Sequence, residues 1–251
     1  MDIEKRASEA IRHYWKTRKS QRENQGKKSG QKDYGNRGAA TGGKQLDGFI
    51  ELFHDLLVGA GLPDNSIHAK VKKTLPGYFR PTKDWDLLIV VDSQLFAGIE
   101  FKSHIGSFGN NFNNRVEEAL GSATDLLTAY REGMFSPSQR PWLGWLMLLE
   151  DVDKAILPTR GNYKEPHFSV RDEFKELRGA AQYKPVSYSR RYEIYCERLM
   201  REQLYDATCL MLANETAGLK GIYREPNDEL SFRIFAESLE SKAIARAKRK
   251  K

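Results

Sequence analysis

The sequence predicts an α/β (α+β) fold: helix, three strands, helix, strand in chain order, forming a mixed sheet flanked by helices, with a helical C-terminal extension. Three observations predict it. Two apolar, β-branched runs, Leu87-Leu88-Ile89-Val90-Val91 and Leu95-Phe96-Ala97-Gly98-Ile99, flank the turn-forming Asp92-Ser93-Gln94, the pattern of an antiparallel hairpin. Apolar residues at helical spacing mark one helix before that hairpin and one after it. The run from Trp142 to Leu149 is apolar throughout, too short to span a membrane and suited to the middle of a sheet.

In chain order, Ile3, Ala7, Ala10, Ile11, Tyr14 and Trp15 share one face of an amphipathic helix of about five turns. Gln21 to Lys44 is rich in Gly, Asn, Gln, Lys and Arg, has no period, and reads as a long flexible loop. Its Lys27, Lys28, Lys32, Arg37 and Lys44 suit either an arm that closes over phosphates or a solvated linker. Leu46, Phe49, Ile50, Phe53, Leu56, Leu57 and Ala60 form a helical stripe stopped by Gly59, Gly61 and Pro63, with Asp47, Glu51 and His54 on the opposite face. Ile67 to Leu75 alternates loosely and reads as a strand ending at the turn Pro76-Gly77.

Beyond the hairpin, Gly106 to Arg115 reads as a glycine- and asparagine-rich loop, with Asn113 or Asn114 capping the next helix. That helix buries Val116, Ala119, Leu120, Ala123, Leu126, Leu127 and Tyr130. Residues 151–251 read as helix and loop. A helical stripe of Ile194, Tyr195, Leu199 and Leu204 falls within Arg190 to Leu212, and a further helix runs from Phe232 into the basic tail Arg246–Lys251, a frayed end.

The 251 residues are enough to bury a sizeable core, and a net charge of +7 with 30% charged residues points to a protein attracted to polyanions. No apolar run approaches the ~20 residues of a membrane span, and the charged N-terminus is unlike a signal peptide. Cys196 and Cys209 lack metal-ligand or redox spacing, which argues against zinc and fits a reducing cytoplasm.

The chemistry sits at the end of the hairpin away from its turn. A turn centred on Ser93 sets Asp86 opposite Glu100 and Asp84 opposite Lys102, whereas a two-residue turn would shift the pairing by one. Side chains alternate faces, so Glu100 and Lys102 point together while Phe101 enters the core. Two close carboxylates repel unless a cation sits between them, and hard divalent ions with oxygen ligands, Mg²⁺ above all, fill that place. A lysine beside the metal can hold or deprotonate a water and offset charge on the phosphorane-like transition state. The competing reading is a solvated ion pair on an exposed ribbon; the buried character of the flanking runs argues against it.

An acid on one strand followed by Glu-X-Lys on the next resembles the PD-(D/E)xK nucleases, whose core has the α-β-β-β-α-β order found here. Trp85 stands where proline usually precedes the aspartate. Some of those nucleases take a further metal contact from the helix before the hairpin, which makes Glu51 the candidate; a solvated helix face competes with it.

A narrower resemblance runs over most of the chain. Met1-Asp2-Ile3-Glu4-Lys5-Arg6, Ala40-Thr41-Gly42-Gly43-Lys44-Gln45-Leu46-Asp47-Gly48-Phe49, Trp85-Asp86-Leu87-Leu88, Glu100-Phe101-Lys102-Ser103, and Phe108-Gly109-Asn110-Asn111 with Asn114-Arg115 and Glu117 to Ala123 resemble the XhoI family of type II restriction endonucleases. The resemblance implies a Mg²⁺-dependent endonuclease acting on double-stranded DNA, a homodimer on a palindrome, CTCGAG cut after its first C, and a companion methyltransferase. A cytoplasmic location follows from the same picture. Residues 1–251 then form a single endonuclease domain: an N-terminal helix and basic loop over 1–44, a catalytic core over 45–150, and an extension over 151–251 for DNA recognition or dimerisation.

The expected roles are Asp86, Glu100 and Lys102 in catalysis, with Asp86, Glu100 and Glu51 holding the metal. Asn110, Asn111, Asn113, Asn114 and Arg115 are the first candidates for base readout, since Asn pairs with adenine and Arg with guanine. Lys44, Arg190 and Arg191 are further DNA contacts, the last two on a rival surface that also includes Arg160 and Lys164. A structure-specific or repair nuclease, and a catalytically silent DNA-binding module, are the alternatives.

Overall fold

The computed structural model describes residues 2–29, 44–69, 74–159 and 186–249. A five-stranded mixed sheet forms its centre, in the order β1 (Ile67–Ala69), β4 (Leu87–Val91), β5 (Gln94–His104), β6 (Trp142–Glu150), β7 (Ala207–Ala213). β1–β4 and β4–β5 are antiparallel pairs, while β5–β6 and β6–β7 are parallel. β2 (Thr74–Pro76) and β3 (Thr82–Asp84) form a separate two-stranded ribbon. No helix among the described residues is long and apolar enough to cross a membrane.

Helices cover both faces. On one lie α1 (Ile3–Ser29), α2 (Asp47–Gly59) and α7 (Phe232–Lys248), whose Ile11, Trp15, Phe49, Phe53 and Phe235 pack with Leu87, Ile89, Ile99 and Phe101 of the sheet. On the other lie α3 (Phe108–Arg131) and α5 (Tyr188–Arg201). Their Ala119, Ala123, Leu126, Tyr192, Tyr195 and Leu199 pack with Leu88, Trp145, Met147 and Leu210. Two one-turn helices, α4 (Asp153–Ile156) and α6 (Glu215–Gly218), follow β6 and β7.

Several elements differ from the sequence expectation, each for a physical reason. α1 continues to Ser29, into the stretch read as loop from Gln21, because Gln, Arg, Glu and Lys are good helix formers and Arg22 pairs with Glu215 at 2.6 Å. The rest of that loop, with Lys32 and Arg37, lies outside the described residues, as do Arg160 and Lys164. The strand expected over Ile67 to Leu75 is two strands belonging to different sheets.

The asparagine-rich stretch is helical from Phe108 onward. Buried Phe108 anchors that start against His104 and Tyr188, at centroid distances of 5.0 and 5.7 Å, and tertiary packing overrides the weak helix propensity of asparagine. The helix assigned within Arg190 to Leu212 stops at Arg201, and Ala207–Ala213 is a strand buried over its whole length. A run with no polar side to turn outward suits a strand covered on both faces.

The hairpin register carries a correction as well. Val91 pairs with Gln94, so the turn holds two residues, Asp92 and Ser93, both at positive φ (52° and 60°) as a type I′ turn requires. Continued in step, that pairing would set Ile99, not Glu100, at the level of Asp86. Phe96 is instead an extra, bulged residue between Val90↔Leu95 and Ile89↔Ala97. The last pair, Leu87↔Ile99, therefore leaves Asp86 and Glu100 as the next two positions. Asp84 does not face Lys102; it pairs with Thr74 in the ribbon, with Thr74 Oγ1 donating to its Oδ1 at 2.7 Å.

Candidate active site

β5 is hydrogen-bonded on both sides, and beyond the bulge its side chains divide cleanly between the faces. Ala97, Ile99 and Phe101 enter the α1–α2–α7 core, so Glu100, Lys102 and His104 point to the α3–α5 side. Asp86 stands in the bend before β4. Its Oδ2 accepts from the Phe101 amide at 2.8 Å, which ties the carboxylate to the adjacent strand.

Lys102 Nζ joins the two acids. It donates to Glu100 Oε2 in a very short contact and approaches Asp86 Oδ2 at 3.4 Å. Glu100 is almost fully buried, its side chain 3% exposed, whereas Asp86 is partly open to solvent. Burial raises the Asp86 carboxyl above its ordinary value, with the Lys102 ammonium opposing that rise. For Lys102 burial acts downward, but Glu100 and Asp86 outweigh it and hold the amine above the usual lysine value. That shift favours the ammonium form of Lys102, a hydrogen-bond donor to both acids.

A fourth charged group completes the cluster, and sequence reasoning missed it. Lys83 of β3 places Nζ 2.6 Å from Glu100 Oε1, in an ion pair, and 5.3 Å from the centroid of the Trp85 ring. Trp85 lies across Gly98, where an added Cβ would come within 3.0 Å of the indole. The ribbon that carries Lys83 is held by buried Asp125 of α3, which accepts from the Phe79 amide at 2.7 Å and from Arg80 Nε at 2.8 Å. Gly77 is required there because a Cβ would strike the Asp125 carboxylate. The only sequence signal for Lys83 is its place three residues before Asp86.

The other expected site residues lie in two places. Asn110, Asn111, Asn113, Asn114 and Arg115 stand in the first two turns of α3, and Arg190 and Arg191 in the first turn of α5. Tyr188 brings the two helix starts together, its ring 5.7 Å from that of Phe108, 6.3 Å from that of Phe112 and 5.0 Å from the Arg191 guanidinium. Asn113 and Asn114 are exposed, while Arg115 pairs with Glu118 at 2.8 Å and Arg190 with Glu193 at 3.1 Å. Lys44 is exposed in a 3₁₀ turn before α2. Glu51 is exposed on α2, and α2 packs against the Phe101 side of β5, opposite to Glu100 and Lys102.

The donor set suits a hard divalent cation. Asp86 and Glu100 offer carboxylate oxygens, and buried Glu100 Oε1 faces only the Lys83 ammonium in its ion pair. Among the described residues no group of three or more His, Cys, Asp and Glu is placed to hold a metal ion. Two protein carboxylates leave the remaining positions to water and phosphate, as Mg²⁺ prefers.

Comparison with known proteins finds one family model matching residues 25–225, described as restriction endonuclease XhoI. The type II restriction enzyme BstVI of Geobacillus stearothermophilus is 46% identical over 219 residues, covering 85% of this chain and 93% of its own. The type II restriction enzyme AbrI of Azospirillum brasilense is 49% identical over 169 residues, 66% and 74% of the two chains. The type II restriction enzyme XhoI of Xanthomonas vasicola is 42% identical over 193 residues, 76% and 72% of the two chains. No solved structure matches significantly.

Proposed function

This chain belongs to the XhoI restriction endonuclease family, whose members are type II site-specific deoxyribonucleases, and from that premise we propose the following reading of its site and specificity. Asp86, Glu100 and Lys102 form the catalytic centre for hydrolysis of double-stranded DNA phosphodiesters at CTCGAG, cut after the first C. One observation carries the assignment: two acids from adjoining strands meet at a single lysine ammonium.

Asp86 and Glu100 would hold the divalent cation, Mg²⁺ in this reading. When bound, a divalent cation lets water act as a nucleophile near neutral pH and draws charge from the phosphate oxygens. Lys102, already a cation, orients the attacking water with its N–H groups and stabilises the charge that develops on the phosphate. The burial of Glu100 keeps bulk water away and strengthens each of these electrostatic contacts. Glu51, exposed on α2 on the opposite side of β5, takes no part in this pair.

Recognition falls to the two helix starts joined at Tyr188. Asn110, Asn111, Asn113, Asn114, Arg115, Arg190 and Arg191 present amide and guanidinium groups of the kind that read adenine and guanine edges, and Lys44 binds backbone phosphate. A palindrome calls for two identical readers, so the working unit is a homodimer in the bacterial cytoplasm, with a methyltransferase shielding the same site in host DNA.

The test is digestion of unmethylated DNA carrying CTCGAG with Mg²⁺, with EDTA, and by Lys102→Ala. Discrete fragments ending at that sequence, absent in EDTA and in the variant, are expected. Fragments ending elsewhere would overturn the assigned sequence, and full cutting by Lys102→Ala would place the active centre elsewhere.

A further inference from the structure

We infer that Lys83 is a positioning residue of this centre: it holds Glu100 Oε1 while no cation is bound, and releases that oxygen when one binds, moving to a phosphate of the DNA. The inference rests on the reading of Asp86 and Glu100 as the metal-holding pair.

Charge balance comes first. Asp86 and Glu100 carry two negative charges, and Lys83 and Lys102 carry two positive ones, so the cluster is neutral as it stands. Neutrality is what a buried carboxylate such as Glu100 needs, since an unpaired charge out of water is costly. Adding a divalent cation puts two more positive charges within a few ångströms of two ammonium groups. One of the lysines must then leave.

Geometry selects which. Lys102 sits on β5, where it pairs with Met147 of β6, and its Nζ reaches both Glu100 Oε2 and Asp86 Oδ2. Lys83 sits on a three-residue strand outside that sheet, and its ion pair is with Glu100 Oε1. Trp85 offers it a second resting place over the indole face. The oxygen it covers is the buried Glu100 Oε1, the one a cation would need. Lys83 is 16% exposed while paired, and once released its compact ammonium on a flexible four-carbon stem is well suited to an incoming phosphate.

A merely structural ion pair predicts the opposite sign for metal binding, and this separates the two roles. Calorimetric titration of the DNA-free protein with Mn²⁺ should show Lys83→Met binding the ion about tenfold more tightly or better, because a competing cation has gone. Lys83→Arg, which keeps the charge, should stay near wild type. Cleavage by Lys83→Met should fall by about ten- to a hundredfold even at saturating metal, since the phosphate contact is lost.

In the wild-type protein, where folding is not at issue, acylation of the Lys83 amine should speed up when Mn²⁺ is added. Unchanged or weaker Mn²⁺ binding by Lys83→Met, or an amine whose reactivity ignores Mn²⁺, would overturn the inference. Glu100→Gln separates the premise from it: if Mn²⁺ binds that variant as well as wild type, the metal reading fails first.

Discussion

On the side of the sheet that Phe101 enters, its ring meets Phe49 at 6.2 Å and Phe53 at 5.7 Å, and Phe53 in turn meets Phe232 and Phe235 at 5.5 Å each. Carbon packs on carbon there. On the side that Glu100, Lys102 and His104 enter, the buried groups include a carboxylate, an imidazole bonded to the Tyr192 hydroxyl at 2.6 Å, Asp125, and the Tyr205 hydroxyl donating to the Ala119 carbonyl at 3.0 Å. One strand serves both sides by alternation. The difference teaches that β5 is fixed by its apolar side, which lets the polar side hold charges in an arrangement that packing alone would not favour.

The sharpest way to break this division is Phe53→Ala. Removing that ring from the centre of three aromatic contacts should cost about 3–5 kcal/mol of stability, while cleavage per folded molecule stays near wild type. Denaturant melts alongside cleavage rates check it. Glu100→Gln should do the reverse, with cutting down by about a thousandfold or more and a smaller loss of stability. If both variants lose stability and activity in parallel, the two sides do not divide the labour.

His104 gives the next largest effect. Burial lowers its pKa from 6.5 to about 4, so the unfolded chain takes up the proton first as the pH falls. Its neutral form therefore contributes stability that is fully present above pH 6.5 and is lost as the pH drops toward 4, about 3 kcal/mol over that range. Melts between pH 7 and 4 should show this slope, and His104→Phe should flatten it.

Asp125→Ala releases the ribbon tip and leaves the Phe79 amide and Arg80 without their acceptor. A loss of about 1–3 kcal/mol is expected, with reduced cutting because β3 and Lys83 lose their support. Ser187→Ala is the smallest change. It removes the hydroxyl that caps α5 by accepting from the Arg190 amide, worth about 1 kcal/mol by melting.

Much of the polar side was legible in the sequence for one reason: Glu100-Phe101-Lys102 fixes two side chains on one face whatever surrounds them. The helix stripes of α2 and of the later part of α3, and the apolar runs of β4 and β6, were legible through their periods or the lack of one. β7 was not, because Ala207 to Ala213 is apolar without a period that separates strand from helix. The start of α3 was hidden by asparagines that favour turns until Phe108 finds its aromatic neighbours. Lys83 was hidden because its partner lies in another sheet. The level of Glu100 with Asp86 emerged from a turn one residue shorter than expected and a bulge that makes up the difference.

That bulge has a consequence for the gene. Phe96 is one codon more than the hairpin needs: without it, Val90↔Leu95 would run straight on to Ile89↔Ala97, and Glu100 would still stand level with Asp86. A single-codon deletion in an enzyme's catalytic strand normally exchanges the two sides of everything beyond it. Here deletion of Phe96 straightens the strand and keeps the charged residues where they are, so an enzyme lacking that codon should still cut. The hairpin holds a spare residue that a lineage can gain or drop without losing the chemistry at the other end.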